Sequence, residues 1–319
     1  MKKHLCLTGI LAVIISLSGC SKKETIYVAW RDNPQAESCV NLFTTLTDLG
    51  YKAVMLPQVI DYDLPYTDNR LSSDCISEND YLAPRYADLV KSNTYKNSNI
   101  SQVMKGVKGL IFPGGEDISP SLFQQPALWH GIQEEKNYNA TRDVSDYLLM
   151  SYCIDNDLAV LAICRGGQML AVASGLSLIQ DIPVYCEGNN LSYRNEHRNT
   201  EPSPGAFRDY ASHAIKINPQ SKLHQIMGTE KVEGCPSWHH QAILSLDGSN
   251  LLLAATADLP GFQNIEAIEV KDKKFIIGIQ YHPEAAYAKH LNNAPNKNLY
   301  MQKKEAAKIF TAFAKEIAD

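Results

Sequence analysis

Ala159-Val160-Leu161-Ala162-Ile163-Cys164-Arg165-Gly166-Gly167-Gln168 is an apolar run that stops at a cysteine and passes at once into a glycine pair. An apolar run with no polar alternation reads as a strand covered on both faces, as in a parallel sheet flanked by helices. A nucleophile placed where such a strand turns sharply into a helix stands exposed on a strained turn, which needs small residues on both sides. Ala162 and Gly166 are those residues, giving A-x-C-x-G. The start of a helix also favours a thiolate, because its amide groups carry partial positive charge. Taken alone, the run favours the nucleophile but also fits a buried cysteine beside a glycine turn, the usual fate of a free cysteine.

Outward from this run the chain alternates. Strand signals occupy 25–30, 51–56 and 107–112, and helical spacing covers 36–49 and 141–156, with Gly50 where a C-cap belongs. Residues 58–100 are polar and read as an insertion with at most one helix, and 186–210 read as a long loop. Short β segments follow at 214–217, 251–255, 265–270 and 275–280, and an amphipathic helix at 302–317 closes the chain. The pattern predicts an α/β fold: a mostly parallel central sheet with helices on both faces, plus a small β extension in the second half. No linker separates two domains, so 25–319 reads as one.

Composition narrows the functional classes. The 319 residues are 45% hydrophobic and 20% charged with formal net charge −5, which excludes a disordered chain. No excess of Lys and Arg is present to neutralise phosphates, so a nucleic-acid partner is not expected. No apolar run reaches the roughly 18 residues of a spanning helix.

Two further strand ends carry chemistry. Gly278-Ile279-Gln280-Tyr281-His282-Pro283-Glu284 supplies an imidazole that can deprotonate Cys164 and a carboxylate that can hold its tautomer, the logic of a Cys-His-acid triad. Phe112-Pro113-Gly114-Gly115-Glu116-Asp117-Ile118-Ser119-Pro120 supplies two glycines that let backbone amides point at a ligand, so that with the Arg165 amide they can form an oxyanion hole. No H-E-x-x-H and no zinc-type Cys/His spacing occurs; His239 and His240 are adjacent but have no third partner in sequence. Neither a metal nor any other cofactor is therefore expected. His197 and His213, which flank a polar loop, read as solvated, and Trp238 as a packing or surface group.

In this order, PGGEDISP, the Arg142-Asp143 pair, LAICRGGQML, QDIP at 180–183, SWHHQAI at 237–243, IEAIE at 265–269 and GIQYHPE resemble the class I glutamine amidotransferase-like superfamily, whose architecture is flavodoxin-like, and within it the γ-glutamyl-γ-aminobutyrate hydrolase group. The resemblance implies Cys164 as nucleophile, His282 as base and Glu284 as its orienting acid. It also implies Gly115 (or Gly114) and the Arg165 amide as oxyanion hole, and Gly114, Gln168, His240 and Gln241 as substrate contacts. It leaves open whether Arg142 and Asp143 touch substrate or brace the scaffold. Gly167, Tyr281 and Asp146 depart from the group's commoner residues, which leaves the specificity pocket open. The implied reaction is hydrolysis of a γ-glutamyl amide (isopeptide) bond through a thioester, with a small γ-glutamyl compound or peptide as substrate. The alternatives are a catalytically silent γ-glutamyl-binding lipoprotein and the glutaminase component of an amidotransferase.

Residues 1–19 have a basic start at Lys2 and Lys3, a short apolar core and small residues before Cys20, the layout of a secretory signal peptide. Leu17-Ser18-Gly19-Cys20 resembles the bacterial lipobox, which implies lipidation of Cys20 and a short tether over 20–24. Loss of 1–19 takes Lys2 and Lys3 with it and moves the net charge from −5 to −7. The expected location is the cell envelope, joined to a membrane only through the lipid. Ser21 in place of Asp points to an outer membrane where the cell has one. Once Cys6, Cys20 and Cys164 are set aside, Cys39, Cys75, Cys153, Cys186 and Cys235 allow at most two disulfides, with Cys153 the expected buried, unpaired one. The oligomeric state stays open, a homodimer included.

Overall fold

The structure is a computed structural model that describes residues 24–318 except 94, 126–130, 132, 134–135 and 199–208. The expected signal peptide, Cys20, most of the tether, and 199–208 of the expected long loop lie outside the described residues.

The chain begins with β1 (Thr25–Val28), α1 (Glu37–Asp48) and β2 (Lys52–Met55), with Gly50 at φ +91° just past the end of α1. The insertion holds a two-stranded hairpin, β3 (Tyr66–Thr67) and β4 (Arg70–Leu71), then α2 (Pro84–Asn93) and, at its end, α3 (Ile100–Val103). The hairpin turns through Asp68 and Asn69, both at positive φ, a conformation Asn and Asp tolerate better than most residues. Then come β5 (Gly109–Phe112), α4 (Ala140–Asp155), β6 (Ala159–Ile163), α5 (Arg165–Ala173), β7 (Leu178–Ile179) and α6 (Ile182–Gly188). The second half adds β8 (Ala211–Ile217), α7 (Lys222–Met227), β9 (Lys231–Ser237), β10 (Ala242–Ile243), β11 (Leu251–Ala257), β12 (Ile265–Val270), β13 (Ile276–Ile279), α8 (Pro283–Leu291) and α9 (Lys303–Ala318).

Nine strands form one sheet in the order β2-β1-β5-β6-β13-β12-β11-β8-β9. The first five pair in parallel and the last four continue antiparallel. The β segments of the second half are thus not a separate extension, because β13 inserts beside β6 and carries the later strands into the same sheet. Among the described residues of that half, β7 and β10 stand apart from it as a two-stranded antiparallel ribbon.

Strand residues alternate between two apolar layers. Leu110, Phe112, Val160 and Ala162 pack with α2, α3, α4 and α5; Ile111, Leu161, Ile163, Ile277 and Ile279 pack with α1, α7, α8 and α9. Leu161 is fully buried, and such a side chain is worth roughly 2–5 kcal/mol against Ala. Cys39, Cys75, Cys153, Cys164, Cys186 and Cys235 are all buried and free, so the disulfides that the count allowed do not form among the described residues. The wrong expectation for His197 and His213 has the same root: both are buried, because tertiary packing encloses a segment whose neighbours in sequence are polar.

Candidate active site

The parallel strands β5, β6 and β13 lie side by side, so the three segments that follow them meet at one end of the sheet. This is where open α/β sheets place their ligands. Cys164 follows β6 at φ +52° and ψ −107°, a conformation costly for a residue with a side chain. Its amide donates to the Ile279 carbonyl at 2.7 Å, and its carbonyl accepts the first helical bond of α5 from the Gln168 amide at 3.0 Å. A side chain at Gly166 would put its Cβ 2.7 Å from the Phe112 carbonyl oxygen, so the turn admits only glycine there. Gly167 and Gly278 are constrained likewise: a Cβ on Gly278 would sit 3.1 Å from the Gly167 Cα.

His282 lies just past β13, with its amide donating to the Pro236 carbonyl at 2.8 Å. Its Nδ1 is 2.6 Å from Glu284 Oε1, on the first turn of α8, and its ring centroid is 5.2 Å from that of Tyr210. Burial alone would lower the imidazole, but the Glu284 carboxylate and the Cys164 sulfur, both hydrogen-bonded to it, hold it well above the ordinary histidine range. His282 is thus placed beside the sulfur with a carboxylate behind it, the arrangement that activates a thiol nucleophile.

The loop after β5 is aimed by two arginines. Arg142 Nη2 donates to the Pro113 carbonyl at 2.9 Å, and Arg142 Nη1 and Arg31 Nη1 donate to the Gly114 carbonyl at 3.2 and 3.0 Å. The peptides are trans, so the amides of Gly114 and Gly115 point the opposite way from those carbonyls. A Cβ on Gly114 would stand 2.9 Å from His282 Cε1 and 3.5 Å from Cys164 Cβ, which puts this loop against both side chains. A side chain on Gly115 would occupy the space of the Arg142 guanidinium.

Beneath the loop, three arginines meet three carboxylates. Glu116 pairs with Arg142 at 2.7 Å and Arg31 at 3.1 Å; Arg165 pairs with Asp143 at 2.5 Å and with Asp146; Arg142 Nε is 3.2 Å from Asp146. Buried charges persist only when paired and hydrogen-bonded in this way. Asp143 also accepts the Ser119 amide and hydroxyl, at 3.0 and 2.5 Å. Arg142 and Asp143 therefore brace the scaffold. Asp146 has the same role, and the Arg165 side chain turns away into this network, leaving its backbone at the turn.

The opposite wall is polar and cross-tied. Gln168 Nε2 donates to the Gln241 carbonyl at 3.0 Å and to Gln280 Oε1 at 3.2 Å, and Gln280 Nε2 lies 3.5 Å from Cys164 Sγ. Gln241 Oε1 accepts the Ile118 amide at 3.3 Å, and the Trp238 carbonyl is 4.0 Å from Cys164 Sγ. His240 lies between Asp117 at 3.0 Å and Asp181 at 3.2 Å; burial opposes its charge, but the two carboxylates raise it to about 9. It therefore ties the loop after β5 to the N-terminus of α6, which Asp181 caps through the Val184 amide at 2.9 Å.

A family model described as peptidase C26 matches residues 87–284, which take in the three strand ends with Cys164, His282 and the loop after β5, but not Arg31. The chain belongs to the peptidase C26 family. Similar curated proteins include protein NtpR of Enterococcus hirae, 34% identical over 60% of this chain and 71% of that one. A glutamine amidotransferase-like protein of Rickettsia prowazekii is 30% identical over 60% and 75%. The γ-glutamyl-γ-aminobutyrate hydrolase PuuD of Escherichia coli is 27% identical over 59% and 68%. Among solved structures, the glutaminase domain of Trypanosoma brucei CTPS aligns over 93% of this chain and 94% of that one, at 13% identity and a TM-score of 0.49. The chain is thus a glutamine amidotransferase-like member of a hydrolase family.

The site also holds two residues that the sequence alone does not mark, Gln280 inside the matched range of the family and Arg31 ahead of it. Gln280 sits inside the quoted GIQYHPE motif, two positions from His282, but only tertiary contact puts it beside the sulfur. Arg31 follows β1, and no local pattern marks it as the partner of a loop 83 residues away. A separate cavity of about 400 Å³ opens beyond β1 and β2, lined by both apolar and polar residues, among them Trp30, Pro57, Ile60, Asp32, Arg70 and Asn99.

Proposed function

We propose that the protein hydrolyses a γ-glutamyl amide bond through a thioester on Cys164. The Cys164 thiolate attacks the side-chain carbonyl carbon of the glutamyl group, and the carbonyl oxygen takes up negative charge facing the Gly115 and Arg165 amides. His282 passes its proton to the departing amine as the carbon–nitrogen bond breaks, leaving a thioester. Neutral His282 then takes a proton from water, hydroxide adds to the thioester, and glutamate leaves as the thiolate reforms. Glu284 holds the imidazole in the required tautomer throughout. Gln168, Gln241 and Gly114 line the glutamyl side of the site in this reading.

The observation that carries the proposal is His282, fixed 2.6 Å from Glu284 and bonded to a cysteine on a strained strand-to-helix turn. The relatives named for γ-glutamyl-γ-aminobutyrate hydrolysis suggest the substrate class. The lipobox-like sequence favours a stand-alone hydrolase in the envelope over a glutaminase that feeds a cytoplasmic synthase.

Amine release from a panel of γ-glutamyl amides, γ-glutamyl-γ-aminobutyrate included, tests the proposal. Turnover by the wild type and none by Cys164→Ala is expected. A wild type that is labelled at Cys164 by a thiol-directed glutamine analogue yet turns over no member of the panel is a binder, and the proposal fails.

A further inference from the structure

His197, His239 and Glu266 come from three separate places: the loop beyond α6, the segment after β9, and β12. All three are buried, and one ligand atom from each lies within 4.8 Å of the other two. Their surroundings settle where the protons are. His239 Nδ1 faces the Gln241 carbonyl at 2.8 Å, which can only accept, so Nδ1 carries the proton and Nε2 a lone pair. His213 Nδ1 faces the Ala214 carbonyl at 3.1 Å, so His213 Nε2 is also a lone pair. His197 Nδ1 lies 3.3 Å from it and 3.4 Å from Glu266 Oε1, with His213 Nε2 also 3.6 Å from Glu266 Oε1, so His197 Nδ1 carries the proton and His197 Nε2 is left as a lone pair. Glu266 Oε1 is held by Asn264 Nδ2 at 2.7 Å, and its Oε2 has no partner.

The result is a buried group with unpartnered atoms on His197 (Nε2), His239 (Nε2) and Glu266 (Oε2), each of which offers a lone pair when the imidazoles are neutral and the carboxylate ionised. A buried polar atom without a partner is destabilising, and one cation would satisfy all three together. We propose that His197, His239 and Glu266 bind a first-row divalent metal ion, with Zn²⁺ the best match to two imidazoles and one carboxylate. The arrangement has the features of a metal site's outer shell. Each imidazole is held through its other nitrogen, His239 by a backbone carbonyl and His197 by His213, and the carboxylate is steadied by an amide. Zinc–nitrogen bonds near 2.0 Å put ligand atoms about 3.3 Å apart, so binding would draw the three side chains inward. The ligands lie at 197, 239 and 266, so no sequence spacing reveals them, and the expectation of no metal is revised.

The site is structural and touches no reacting atom. It braces the wall behind the nucleophile: the Gln241 carbonyl that holds His239 also holds Gln168, and the Glu266 carbonyl accepts the Gln280 amide at 2.8 Å. Gln280 in turn lies against Cys164 Sγ.

The full chain, stripped with a chelator and then titrated with Zn²⁺ or Co²⁺, gives the test. One ion per chain is expected, with a rise in Tm on loading. Affinity should fall by at least about 10-fold in Glu266→Gln and in His197→Gln and stay unchanged in Cys164→Ala. The Co²⁺ form should show visible bands without a thiolate charge-transfer band, a readout that needs no variant to fold. Absence of saturable binding, loss of the ion in Cys164→Ala, or a thiolate band would each overturn the proposal.

Discussion

Cys164 is held at φ +52°, where an ordinary residue costs about 1–3 kcal/mol and glycine almost nothing. Its replacements therefore reverse the usual order of stability. Cys164→Gly and Cys164→Ala both lack the sulfur, yet the glycine variant is expected to be the more stable by about 1 kcal/mol, measured as the urea midpoint. An alanine variant of equal or greater stability would show that the turn is unstrained. Glu284→Gln probes the neighbouring contact. It removes the carboxylate that most raises His282, so the alkaline limb of the kcat/KM profile should move to lower pH while kcat falls on the order of 10²–10⁴-fold. A pH profile that keeps its position would mean that Glu284 does not set the imidazole. At this scale the sequence was informative where chemistry and spacing coincide: Cys164, His282 and Glu284 stand at strand ends that periodicity alone can find. It was silent where a partner is distant. His197 lies among Asn195, Glu196 and Arg198, and nothing local indicates that Tyr193, Phe262 and His239 close over it.

Among elements, the loop after β5 depends most on charge. Glu116 joins Arg31 to Arg142, and these two arginines hold the Pro113 and Gly114 carbonyls. Burial would raise the Glu116 carboxyl, but Arg142, Arg31 and Arg165 together bring it down from 4.5 to about 2. A carboxyl depressed on folding stabilises the protein at pH above its unfolded value, and that stabilisation is lost as pH falls from about 4.5 through 2. Glu116→Gln should remove this acid-side slope from the unfolding free energy and lower stability near neutral pH by up to about 3 kcal/mol. Urea titrations between pH 3 and 7 would show it; parallel pH curves for the two proteins would refute the coupling. Elements read well from sequence where apolar runs are unbroken, as in β6 and β12, whose limits match the expected ones. β9 went unread because Gly234 and Pro236 interrupt it. Pro is tolerated there because β9 is the edge strand of the sheet, where a missing amide donor breaks no second ladder. α8 opens on Pro283, and proline at the first position of a helix lacks only an amide that would go unpaired.

The sheet as a whole relates the two ends of the proposal. β1 runs parallel to β5, and β5, β6 and β13 are parallel, so Thr25 begins at the end of the sheet opposite to Cys164, Gly114 and His282. The Glu24 carbonyl already accepts the Lys52 amide at 2.9 Å, which leaves only a few residues between Cys20 and the folded body. A protein tethered at Cys20 would therefore rest on the membrane by the sheet end that lacks the site, with the site turned toward the aqueous side. That geometry suits a small water-soluble γ-glutamyl compound better than a lipid-borne one. Two acyl chains or more are needed for a stable anchor, so modification of Cys20 must be multiple for the protein to stay in place. Mass analysis of the N-terminal peptide should find a chain that begins at Cys20 and carries lipid, whereas Cys20→Ala should keep residues 1–19. With a soluble substrate, kcat/KM should be the same in intact vesicles carrying the protein outward and after solubilisation in detergent. An unlipidated wild-type N-terminus would remove the anchor from this picture, and activity that appears only after solubilisation would show that the site faces the bilayer.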